Sequence, residues 1–264
     1  MSHLYNLRQQ PRYRERRLHY VPTRPTAVAI GERRRPDPRG QPGYLRVDTV
    51  HQGDPPGAQG VFHINAVDEV TPWQIVSASA RISEAWLEPV LEAMLRQFPF
   101  RILGFHSDNG SEFINRTVAR LLQKLLIEQT KSRAHRTGDN GLVESKNGAV
   151  VRKHMGFAHI AAEHAEAVDQ FHRRHLNPYV NFHRPCAVAE IVERRNGKRQ
   201  RVYRKWATPF EIFSQTPQCE SRLRPAVSMA DLEAFAQKQS DTEAAIEMQK
   251  AKRQLMSGIA QRSA

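Results

Sequence analysis

The chain has 264 residues, with 40 Lys and Arg against 27 Asp and Glu, a formal charge of +13. That length supports one substantial core with smaller appendages, and a hydrophobic content of 39% argues for a folded domain. The charge points to a polyanionic partner, nucleic acid first, although ribosomal and membrane-surface proteins share such a balance. No apolar run approaches the roughly 20 residues of a membrane helix and no signal-peptide segment opens the sequence, which predicts a cytoplasmic protein with no membrane partner.

Residues 1–42 carry ten arginines between Arg8 and Arg39 against Glu15, Glu32 and Asp37, and six prolines interrupt any long helix. They read as a basic, Arg/Pro-rich N-terminal arm suited to phosphate contact, with one short helix near Tyr13 to Leu18. A core follows over residues 43–185. Leu45, Val47 and Thr49 alternate in a first strand that puts Asp48 on the other face. An ionised carboxylate there needs a positive partner, either Arg46 or a shared divalent cation. Val61 to Val67 and Gln74 to Ala78 complete an antiparallel meander. Ser83 is a plausible cap for a helix whose apolar stripe runs from Leu87 to Phe98.

Arg101 to Phe105 is a fourth strand, stopped by the turn-forming Asp108-Asn109-Gly110. A helix with Val118, Leu121, Leu122, Leu125 and Leu126 leads to a fifth strand at Ile127 to Lys131. A loop with Lys131, Arg133, His135 and Arg136 precedes a helix over Gly141 to Met155, with Asp139 as its expected cap and Glu144 in its first turn. The helix dipole alone would favour an acid at that place. Beyond, Ala161 to His175 reads as a helix, and Asn177-Pro178 and Arg184-Pro185 mark turns. Residues 186–264 form a basic C-terminal region: a hairpin around Asn196-Gly197 that carries Arg199 and Arg201, then helices suited to packing on a partner subunit. Cys186 and Cys219 have no metal-ligand spacing and read as reduced thiols.

Asp48, Asp108 and Glu144 are separated by 60 and then 36 positions. With Asp108-Asn-Gly-Ser-Glu-Phe113 after a strand and Asp139-Asn-Gly-Leu-Val-Glu144-Ser-Lys-Asn147 entering a helix, the sequence resembles the catalytic core of retroviral integrases and of the DDE transposases of bacterial insertion sequences. Leu176 to Pro185 is similar to the Tyr-Asn-x-x-Arg-Pro ending that follows this core in many transposases. The resemblance implies an α/β fold, a ribonuclease H-like mixed five-stranded sheet with flanking helices, plus the basic arm and a small C-terminal extension. Neither a helix-turn-helix nor a His2Cys2 zinc pattern stands in the arm.

The resemblance further implies a metal-dependent polynucleotidyl transferase that cleaves and joins DNA strands during transposition. Asp48, Asp108 and Glu144 are its expected catalytic and metal-binding residues, with two Mg²⁺ or Mn²⁺ ions per site. Asn147, Lys131, Arg133, Arg136, Lys146, Arg152, Arg199 and Arg201 are expected to contact double-stranded DNA, namely element ends and target, with Asn147 touching DNA or orienting a carboxylate. Cutting two ends implies a homo-oligomer in the DNA complex, associated with the nucleoid when bound. Two rivals stand beside this reading: a ribonuclease H-like nuclease, and an inactive or truncated DNA-binding remnant of a transposase. Glu112, Asp54, Asp68 and Asp139 read as structural acids, and His106 and His135 as polar contacts.

Overall fold

The computed structural model describes residues 30–53, 58–134, 136–194, 197 and 199–262. Strands β1 (Glu32–Arg33), β2 (Tyr44–His51), β3 (Phe62–Asp68), β4 (Gln74–Ser79), β5 (Gly104–Ser107) and β6 (Glu128–Lys131) form one sheet in the order β1-β6-β5-β2-β3-β4. The meander β2-β3-β4 is antiparallel, whereas β5 lies parallel to β2, β6 to β5 and β1 to β6. Five of these strands follow the expected chain order, although the one expected at Arg101 to Phe105 is shifted toward Asp108 and spans Gly104–Ser107. The sixth, β1, is not among them, because two residues among arginines and prolines carry no period. Its residues fall in the basic arm; there, Arg34 ion-pairs with Glu128 beside the sheet edge.

Helices cover both faces. Alternation along β2 sends Leu45 and Val47 to a core built with α1 (Glu84–Leu95) and α2 (Arg116–Lys124), where Trp73, Phe98, Phe100 and Phe213 meet. Val50, together with Val61 and Val76, faces a second core formed with the helices that follow the sheet. The first of these, α3, runs over 141–155 as Gly141–Lys146, a π segment Asn147–Arg152, and Lys153–Met155. The second, α4, spans 162–183 without a break.

Asn177-Pro178 therefore lies inside α4 rather than at the predicted turn. Proline has no N–H and crowds the preceding turn, and α4 accommodates it by widening to π geometry over His172–Leu176 and Tyr179–His183. Beyond α4 come the hairpin β7 (Cys186–Glu193) and β8 (Arg199–Ala207), then α5 (Pro209–Ser214), α6 (Cys219–Arg222), α7 (Met229–Gln237) and α8 (Asp241–Arg262). Leu232 of α7 joins the first core and Met248 of α8 the second, so these helices pack on their own chain. No helix among the described residues is long and apolar enough to cross a membrane.

The second core encloses three histidines. The rings of His63 and His172 lie 5.2 Å apart, and His154 and His172 have no hydrogen-bond partner on either nitrogen among the described residues. Burial pulls His63 down to about 3 and His154 to about 4, and His172 well below its ordinary value. A folded-state value below the unfolded one means stability that is full above about pH 6.5 and is lost as pH falls, because only the unfolded chain takes up the protons. Each histidine is expected to cost about 2 kcal/mol by pH 5. Urea midpoints at pH 7 and pH 5 should fall less steeply in His172→Leu than in the wild type; equal slopes would contradict this assignment.

Candidate active site

Sheet register brings the first two acids together. Val47 of β2 pairs with Ser107 of β5 in parallel, so Asp48 and Asp108 are the next residues on neighbouring strands, which run roughly 4.8 Å apart. Asp108 ends its strand in the expected turn, with Oδ1 accepting from the Gly110 N–H at 2.9 Å. Glu144 arrives from α3, whose start is pinned to β2: Asn140 Nδ2 donates to the Val47 carbonyl at 3.3 Å and the Arg46 guanidinium to the Asp139 carbonyl. Arg46 thus does not serve Asp48. It is buried and pairs with Glu69 at 2.7 Å.

Asp48 feels both of the other acids. Burial, then the charge of Asp108 and, more weakly, of Glu144 push its carboxyl up to about 6, against hydrogen bonds that lower it. Those bonds fix its direction. Oδ1 accepts from the Thr49 N–H at 2.9 Å and Oδ2 from Asn147 Nδ2 at 2.7 Å. Asn147 in turn accepts from Asn65 Nδ2 at 2.7 Å, and Asn65 from Gln74 Nε2 at 2.9 Å. Asn65 is the cross-strand partner of Asp48, so three amides from β3, β4 and α3 hold one carboxylate. Among the described residues no three His, Cys, Asp or Glu side chains stand close enough to share a metal ion.

Glu112, structural by its sequence context, belongs to the site. Its carboxyl folds back over Gly110, its Oε2 is buried with no hydrogen-bond partner among the described residues, and burial, then the charges of Asp108 and Asp48, push it up to about 7. Its position four residues after Asp108 is the available signal. Asn65 and Gln74 are site residues that sequence reasoning misses, and their signal is polarity inside otherwise apolar strands. His106 is a buried polar contact, as expected, with Nδ1 2.9 Å from Thr130 Oγ1. His135 lies outside the described residues.

The expected phosphate contacts divide. Lys131 is buried and its Nζ donates to the Ile30 carbonyl at 2.6 Å. Arg152 bonds the His51 carbonyl at 2.7 Å and Gln52 Oε1 at 3.3 Å, and lies over Phe157. Each of these cations thus bonds a backbone carbonyl of a neighbouring chain segment. Arg133 clamps Asp139 with two nitrogens, at 2.9 and 2.8 Å, and holds that carboxyl far below the usual range. Asp139 is therefore an ion-pair partner rather than the cap of α3. Arg136 is exposed and Lys146 half-buried. The side chains of Arg199 and Arg201, on β8, lie outside the described residues.

No protein-family model matches the chain. It is 34% identical over 128 residues to the uncharacterized protein y4rM of Sinorhizobium fredii (strain NBRC 101917 / NGR234), covering 48% of this chain and 36% of that protein. The chain thus spans about a third of the length of the curated relative it matches. Among solved structures, a simian T-cell lymphotropic virus intasome in complex with PP2A regulatory subunit B56 gamma aligns with 56% of this chain and 49% of its own, at 19% identity and a TM-score of 0.38. The catalytic core domain of BIV integrase aligns with 48% of this chain and 80% of its own, at 16% identity and a TM-score of 0.36.

Proposed function

We propose that this chain is a DDE-type transposase or integrase, a polynucleotidyl transferase that cuts and joins DNA strands. The observation that carries the reading is the β2–β5 register, which sets Asp48 and Asp108 side by side, together with the hydrogen bond to Asp48 from Asn147 on the helix that bears Glu144. The strand order β4-β3-β2-β5-β6, antiparallel within the meander and parallel beyond it, supports a ribonuclease H-like arrangement, with β1 added at the edge. The net charge of +13 supports DNA as partner.

The donor chemistry fits hard divalent cations. Asp48, Asp108 and Glu144 offer carboxylate oxygens, and Asp48 and Glu112 are raised by burial and then by their acidic neighbours, and a cation relieves the second of these. The three acids of the triad would hold two Mg²⁺ or Mn²⁺ ions, which when bound activate the attacking oxygen and stabilise the departing one. The chain's own residues prepare that site. Asn147, backed by Asn65 and Gln74, keeps Asp48 oriented, and Asn140 keeps the first turn of α3, which bears Glu144, against β2. The attacking group is water when an element end is nicked and a DNA 3′-hydroxyl when that end is joined to target. No covalent protein-DNA intermediate is required.

Strand transfer on a DNA end with Mn²⁺ or Mg²⁺ tests the reading, comparing the wild type with Asp108→Asn. Transfer in the wild type that falls by about 10³-fold or more in the variant is the expected result. DNA binding without cleavage in either protein would favour the inactive remnant, and cleavage confined to RNA-DNA hybrid would favour the ribonuclease H-like nuclease.

A further inference from the structure

A cavity of about 590 Å³ opens between α3, the β3–β4 turn and the β7–β8 hairpin. Four basic side chains line it, Arg35, Arg46, Lys146 and Arg184, against two acids. Both acids are already ion-paired, Glu69 with Arg46 and Arg35 and Asp139 with Arg133. Arg184 donates to the Ala149 carbonyl at 3.0 Å, but neither it nor Lys146 has an acidic partner among the described residues, and the nearby Arg184 charge adds to burial in depressing Lys146. The cavity therefore carries uncompensated positive charge beside the helix that bears Glu144.

Its outer wall is aromatic. Tyr203 and Trp206 are 57% and 68% exposed, yet both line this cavity. Residues three apart on a regular strand point to opposite faces. Here the pairing shifts between Val188 and Ala189, with Ala187 opposite Trp206 and Ala189 opposite Tyr203, so the hairpin gains one residue and both rings turn the same way. Large rings left facing water next to cations that have no acidic partner put apolar area and uncompensated charge together. Ala149, Cys186 and Ala187 leave the floor open.

We propose that this cavity binds one unpaired nucleotide of a DNA strand, its base against Tyr203 and Trp206 and its phosphate at Lys146 and Arg184. The volume lies within the range of small-ligand pockets, and stacking on aromatic rings beside cations is the sequence-tolerant way proteins hold unpaired bases. This rests on the DNA-processing reading and extends it. Lys146 lies two residues from Glu144 on α3, so a phosphate held at Lys146 lies within about 10 Å, one helix diameter, of the turn that carries that acid.

The test uses the full chain and a short duplex, blunt or with a two-nucleotide single-stranded overhang bearing 2-aminopurine. Wild-type protein should bind the overhang duplex about tenfold more tightly than the blunt one, with the 2-aminopurine quenched. Trp206→Ala should remove the preference and the quenching while leaving blunt-duplex affinity unchanged, and Trp206→Phe should restore most of both. Lys146→Ala should weaken overhang binding and lower the salt slope by about one. Equal affinity of the wild type for both duplexes, or a preference and quenching that survive Trp206→Ala, would overturn the pocket while leaving the catalytic reading standing. Failure to bind either duplex would overturn both. Because Trp206 is largely exposed, the unfolding midpoint of the variant should match that of the wild type, which separates loss of the pocket from loss of the fold.

Discussion

Asp48→Asn is expected to bring strand transfer to background, a loss of at least about 10³-fold, and at the same time to make the ion-free protein more stable. Asp48 is pushed up to about 6 by burial and by its acidic neighbours, so at neutral pH its ionised form strains the fold. A group whose folded-state value lies above its unfolded one destabilises at high pH, and the penalty disappears as pH falls through about 6 toward 4. Removing the charge should therefore gain about 1–3 kcal/mol at pH 7.5, or several degrees in Tm, and almost nothing at pH 4. The amide network allows the exchange at little cost. If Asn147, Asn65 and Gln74 each rotate their amides by half a turn, Asn147 Oδ1 accepts from the new amide, Asn147 Nδ2 donates to Asn65 Oδ1, and Asn65 Nδ2 donates to Gln74 Oε1. Divalent cation should raise the Tm of the wild type at pH 7.5 and raise that of the variant much less. A cation that leaves the wild-type Tm unmoved, or a variant less stable than wild type at pH 7.5, would remove the charge-convergence argument itself.

The largest stability effect is expected away from the site, at Asn177 and Asn181. Strand β4 is an edge of the sheet, and its outward backbone groups would be open to another strand. Helix α4 closes them with side chains. Asn181 accepts from the Gln74 N–H at 2.8 Å and donates to the Gln74 carbonyl at 2.7 Å; Asn177 does the same for Val76 at 2.9 and 3.0 Å. The spacing makes it possible, since four residues of helix advance about 6 Å and two residues of strand about 6.7 Å. Asp169 adds a third contact, accepting from the Ala78 N–H at 2.8 Å. Alanine at both asparagines leaves four buried backbone groups unpaired, at about 1–3 kcal/mol each before relaxation. The double variant should lose about 3–6 kcal/mol in urea unfolding and aggregate where wild type does not. A loss under about 1 kcal/mol would mean that water satisfies this edge as well as the asparagines do.

These two sites are not equally legible in the sequence. The triad stands out because its acids sit in strong local contexts: an alternating strand around Asp48, turn chemistry after Asp108 and a helix start before Glu144. Asn177 and Asn181 do not, since Asn-Pro is a turn signal in any local reading, and only the packed edge of β4 makes a helix worth continuing through Pro178. Lys131 and Arg152 show the same limit. Both read as phosphate ligands from local sequence, and only the fold shows the carbonyls of Ile30 and His51 beside them. Glu112 errs the other way: four residues past Asp108 it looks like any helix-facing acid, and only the fold over Gly110 brings it inward.

By itself the sequence determined the succession of strands and helices, the positive charge and the three acids, because each follows from short-range periodicity, turn chemistry or plain counting. Tertiary structure alone decided which polar groups meet: the amides that grip Asp48, the asparagines that close β4, the cations turned inward, and the two rings aimed into one cavity by a bulge. Such pairings depend on register between segments distant in the chain, and a one-residue shift in register would undo each of them without altering any local pattern.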